Sequence, residues 1–104
     1  YLLEVYTGAI EAFRRVAEAF ISMDKENTIK VIREVERLKA IEEEIRKVHG
    51  EDMAKQPTIT RLLDAIARIL ARSLDIAEEV IDIIAVKSIT SLQLTAEKQH
   101  EIPM

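Results

Sequence analysis

Only four residues of this 104-residue chain resist helix formation: Gly8, Gly50, Pro57 and Pro103. A β-rich fold needs many more turn residues than that. Between the four breakers, apolar residues return every three or four positions, the period of a helix with one face against a core. The pattern predicts an all-α chain of three helices. The length allows one core and one domain.

The first helix is expected from about Leu2 to Met23. Its core face reads Leu2, Tyr6, Ala9, Phe13, Val16, Phe20 and Met23, widened by Leu3, Ile10, Ala17 and Ile21. Gly8 costs about 1 kcal/mol relative to Ala in a helix interior, so its place here predicts close approach of a neighbouring helix. Asp24 is placed to cap the second helix. That helix is expected to reach about His49, with a stripe of Thr28, Val31, Val35, Leu38, Ile41, Ile45 and Val48. Lys47 and His49 suit a helix C-terminus and Gly50 suits a left-handed residue after it. A loop from Gly50 to Lys55 follows from that.

Pro57 suits the first turn of the third helix. The pattern continues to about Ile89, with an extension to Leu94 allowed. Two apolar rows run along it. One is Ile59, Leu62, Ile66, Ile69, Ile76, Val80 and Ile83; the other is Leu63, Leu70, Leu74, Ala77, Ile81 and Ile84. A three-helix bundle needs only one such row. The second predicts contact with another subunit, hence a homodimer. The alternative is a third helix sunk deep between the other two. The domain is expected to end near residue 90, leaving residues 91–104 as a polar tail closed by Pro103. The expected fold is an antiparallel three-helix bundle with a long third helix.

Fifteen Lys and Arg against nineteen Asp and Glu give a net charge of −4. No basic cluster is present, which argues against nucleic-acid binding. No apolar run is long enough to cross a bilayer. The absence of Cys removes disulfides, thiolate zinc sites and thiol nucleophiles, and fits a reducing compartment; a cytoplasmic location is expected. The chain begins at Tyr1 without a charged-then-apolar leader. No signal peptide is expected, and a trimmed start is.

Catalytic signals are sparse. Ser22, Ser73, Ser88 and Ser91 lack a nucleophile-elbow context, and His49 and His100 sit at a helix end and in the tail. No glycine-rich phosphate loop exists. The exception lies on the third helix, where Asp75, Glu79 and Asp82 follow 4–3 spacing with Glu78 beside them. Like charges at these spacings repel, and they sit toward the helix end that disfavours anions. A hard metal ion, or basic residues from another helix, would relieve them. The plain alternative is a solvated face. The mixed charges of the second helix read as a hydrated surface.

Three stretches together resemble the PhoU-like family of phosphate-uptake regulators. They are Ala9–Phe13 through Ala17–Phe20 with Asp24, Val31-Ile32 through Glu42–Ile45, and Leu70 through Glu79. The resemblance covers roughly residues 2 to 86. It implies a single three-helix unit that regulates phosphate uptake without catalysis, by contacting a phosphate transporter or sensor kinase. It also implies an iron or zinc site, with Asp75, Glu79 and Asp82 matching the third-helix motif and Glu36 the first acid of the second helix. The second acid of that helix falls at Lys39 or Ala40, and Val80 and Glu78 stand where many relatives have His and Gly. Family members carry two such units in tandem, which a homodimer of this chain would rebuild. Two other readings stand beside it. One is a helical dimerisation or interaction module without ligand. The other is a MazG-type nucleotide pyrophosphohydrolase, for which Glu79-x-x-Asp82 supplies one half-motif, while no Glu-x-x-Glu supplies the other.

Overall fold

A computed structural model describes the backbone of residues 2–101 and the side chains of residues 2–96. The side chain of His100, and Pro103, lie outside the described residues. Three helices account for nearly all of the chain: α1 (Leu2–Ser22), α2 (Lys25–Ala54) and α3 (Pro57–Glu101). Each helix packs against both others.

The first turn between helices is tight. The Met23 N–H donates to the Ala19 carbonyl at 2.7 Å, closing α1. Met23 itself takes a left-handed conformation, with φ of 53°. Asp24 then caps α2 as expected, accepting from the Asn27 N–H at 3.2 Å. The buried Thr28 hydroxyl donates to the Asp24 carbonyl at 2.6 Å, which removes the cost of burying it.

α2 does not stop at Gly50. No described glycine has a positive φ, and the helix runs through the expected loop to Ala54. The reason is Met53, which is buried in the core and holds the extra turn down. Its carbonyl accepts from the Gln56 N–H at 2.9 Å and from the Thr60 hydroxyl at 3.1 Å. The connection to α3 is therefore short.

The core face of α1 is rotated from the one expected: Ala9 and Val16 are buried as expected and Leu2 and Tyr6 pack against the core, but Phe13 and Phe20 give way to Val5, Ala12 and Ala19. Val5, Ala9, Ala12, Val16 and Ala19 are buried, while Phe13 and Phe20 are 43% and 44% exposed. Both faces have helical 3–4 spacing, so periodicity alone does not choose between them. Small side chains let helix axes come close, and the packing takes the small seam. Gly8 belongs to the same tight contact: a Cβ there would lie 3.0 Å from Leu38 Cδ2.

α3 is the central element. Leu63, Ile66, Leu70, Ala77 and Val80 are almost fully buried. Half of the second apolar row, expected to face another subunit, lies inside: Leu63, Leu70 and Ala77 are core residues within this chain, while Leu74, Ile81 and Ile84 are half-buried. The half-buried residues include Leu62, Ile69, Ile76 and Ile83 from the first row. The third helix is thus sunk between the other two. It also extends further than expected, past residue 90 to Glu101. From Ala85 to Ala96 every residue is exposed. That segment projects beyond α1 and α2, in a molecule 78 Å long and 19 Å by 16 Å across. Among the described residues, no helix is long and apolar enough to cross a membrane.

Candidate interaction face

α1 turns several large apolar side chains away from the core, although Leu2 and Tyr6 pack against it. Leu3, Ile10, Phe13, Phe20 and Ile21 are all exposed. A run of exposed large apolar residues on one helix is unusual for a chain with nothing bound to it. Residues 3, 6, 10, 13, 17 and 20 have the spacing of a coiled-coil seam, alternating between three and four. Ile10 and Phe13 form one wall of a shallow apolar groove whose other wall is Arg68, Ile69 and Arg72 of α3.

A second shallow groove lies further along α3, lined by Glu79, Asp82, Ile83, Val86 and Lys87. Positions 65, 69, 72, 76, 79, 83 and 86 recur at 3–4 spacing, so one strip of α3 connects the two grooves. Arginines border the first groove, and two carboxylates with Lys87 border the second. Past the grooves, Val86, Ile89, Leu92 and Leu94 are exposed on the projecting end of α3.

The carboxylates singled out in the sequence are all at the surface. Asp75, Glu78, Glu79 and Asp82 are exposed on α3, and Glu36 is exposed on α2. Arg72 stands 4.0 Å from Asp75. Among the described residues, no three His, Asp or Glu side chains are grouped so as to hold a metal ion. His49 and Asp52 flank an apolar notch with Leu2, Ile45, Met53 and Ile59, at the end where α2 meets α3.

One polar cluster escaped the sequence reading. Glu42, grouped there with the hydrated charges of α2, is buried at 4% exposure. Arg46, one turn later, pairs with it through Nε and donates to Asp64 Oδ1 of α3 from Nη2 at 2.8 Å. The hydrogen bond from Arg46 to Glu42, then that to Asp64, holds the guanidinium pKa above its ordinary value. The i,i+4 spacing of Glu42 and Arg46 was visible in sequence, but burial was not. The cluster ties α2 to α3.

On the α1–α2 side, Arg37 donates to Glu34 from Nη2 at 2.6 Å and from Nε at 3.0 Å. This hydrogen bonding, helped by the charges of Arg37 and of Arg15 on α1, pulls the Glu34 pKa below the usual carboxylate range. Arg14 likewise clasps Glu11 and Glu18 along α1. Among the described residues, no buried side-chain nitrogen or oxygen lacks a hydrogen-bond partner. The chain matches none of the protein families, curated proteins or solved structures with which it was compared.

Proposed function

We propose that this chain is a non-enzymatic helical interaction module that works by self-association, built as an antiparallel three-helix bundle. One observation carries the reading: α1 buries Val5, Ala9, Ala12, Val16 and Ala19 and leaves Leu3, Ile10, Phe13 and Phe20 exposed. Burying apolar area yields about 25 cal/mol per Å². A helix that places its small seam inward leaves that gain available to a second chain. The exposed apolar residues on the projecting end of α3 add surface of the same kind. An isolated helix of that length is marginal in water, and a partner would support it.

The antiparallel course is supported by two contacts. Gly8, early in α1, lies against Leu38 in the middle of α2. Arg46, late in α2, bonds Asp64, early in α3. Regulation by protein contact is also what the PhoU-like resemblance implies. On that resemblance, the module would serve phosphate uptake, with a transporter or sensor kinase as a further partner.

Light scattering across a micromolar concentration series tests the reading. The wild-type chain is expected to be a dimer. Phe13→Ser with Phe20→Ser should shift it to monomer while leaving far-UV circular dichroism unchanged, because both rings are outside the core. A wild-type monomer throughout the series would refute self-association.

A further inference from the structure

We propose that two copies associate through antiparallel α3 helices, with Arg68 and Arg72 of each facing Glu79 and Asp82 of the other across a two-fold axis near Ile76. The proposal rests on the self-association reading and specifies its geometry.

A two-fold contact requires a surface that complements itself when reversed. The connecting strip of α3 reads Ala65, Ile69, Arg72, Ile76, Glu79, Ile83 and Val86. Reversed about Ile76, Ile69 falls opposite Ile83, and Arg72 and Ala65 fall within one residue of register of Glu79 and Val86. Along this strip apolar residues meet apolar residues, and Arg72 meets Glu79. A parallel pairing would set Arg72 on Arg72 and Glu79 on Glu79, so the charges select the antiparallel arrangement.

The same reversal brings together the two grooves. The groove of Ile10, Phe13, Arg68, Ile69 and Arg72 meets the groove that holds Glu79, Asp82, Ile83, Val86 and Lys87 on the other copy, where Lys87 falls opposite Ala65 and two carboxylates face the arginines. The α1 rings then gain apolar contacts from outside the chain. The reversal also accounts for the row of carboxylates from Asp75 to Asp82. Within one chain these repel, and Arg72 stands at the edge of their row, 4.0 Å from Asp75. In the dimer, the arginine-rich half of a second α3 lies over them.

Charge reversal tests the proposal without touching the core, because all four residues are exposed. One variant carries Arg68→Glu and Arg72→Glu; the other carries Glu79→Arg and Asp82→Arg. Each alone should weaken dimerisation at least about tenfold, since every cross-contact becomes a like-charge pair. An equimolar mixture should recover wild-type affinity as a heterodimer, in which every contact is again opposite in sign. Wild-type affinity in both separate variants would overturn this geometry and leave self-association standing elsewhere on the surface. Weakened variants that fail to recover on mixing would also overturn it. A wild-type monomer would overturn both this proposal and the reading it rests on.

Discussion

Arg46 of α2 donates to Asp64 of α3 at 2.8 Å while also pairing with Glu42, whose side chain is 6% exposed. Arg46 is therefore the only bridge in that cluster, and Glu42 depends on it for neutralisation. Removing one partner of a buried ion pair is far more damaging than replacing both by apolar groups. Arg46→Ala should destabilise the fold by about 2 kcal/mol, a value reduced from the fully buried case because the guanidinium is partly in water. Glu42→Leu with Arg46→Met should stay within about 1 kcal/mol of wild type. Urea unfolding at fixed protein concentration distinguishes the two outcomes.

Gly8 is held as glycine by Leu38. Alanine would gain about 1 kcal/mol of helix propensity, but its methyl would sit 3.0 Å from Leu38 Cδ2. Leu38 is 3% exposed and has little room to turn. Overpacking of this kind costs about 1–3 kcal/mol, so Gly8→Ala should destabilise by roughly 1 kcal/mol. In a Leu38→Val background, where the clashing methyl is gone, the same change should stabilise. A double-mutant cycle in urea reads the reversal of sign.

The turn after α1 holds two opposing local terms. Met23 adopts φ of 53°, a conformation natural to glycine and costly for other residues. Met23→Gly should raise stability by about 0.5–1 kcal/mol. Asp24 supplies a cap to the Asn27 N–H, and Asp24→Ala should lower stability by about 1 kcal/mol. Thermal melts of the two variants should move in opposite directions.

Acid should act partly through Glu34. Its folded-state pKa is depressed, chiefly by the hydrogen bonds from Arg37. A depressed carboxyl contributes stability that is complete above its unfolded pKa, about 4.3, and disappears as pH falls through the lower folded value. Because the pair is largely exposed, the contribution is expected to be a few tenths of a kcal/mol. Unfolding free energies of Glu34→Gln and wild type should therefore differ at pH 7 and draw together as pH falls below about 4.3. A constant difference across that range would assign the effect of the substitution to something other than charge.

The number of helices, the Asp24 cap and the tight approach at Gly8 were legible in the sequence, because each rests on local chemistry with one physical solution. The inward face of α1 was legible only in part: Ala9 and Val16 lie on it as expected, while Phe13 and Phe20 do not. Its small and large seams share one period, and only the closeness of the neighbouring helices decides between them. Gly50 misled for a related reason: it suits a helix end, but Met53 four residues on from His49 buries itself and carries the helix past it. The acidic row on α3 stood out as electrostatically unfavourable. What the sequence left hidden was that Arg68 and Arg72 border one groove and Glu79 and Asp82 another on the same side of one helix.

The proposed axis near Ile76 permits one direct measurement. The chain has no cysteine, so a single thiol reports only on its own position. Disulfides form only where the two Cα atoms lie within about 7 Å, a condition met at a two-fold axis and not far from it. Under mild oxidation, Ile76→Cys should convert to a covalent dimer, while Glu43→Cys, exposed on α2, should not. An Ile76→Cys protein that sediments as a dimer yet cross-links no better than the Glu43→Cys control would contradict the antiparallel α3 interface.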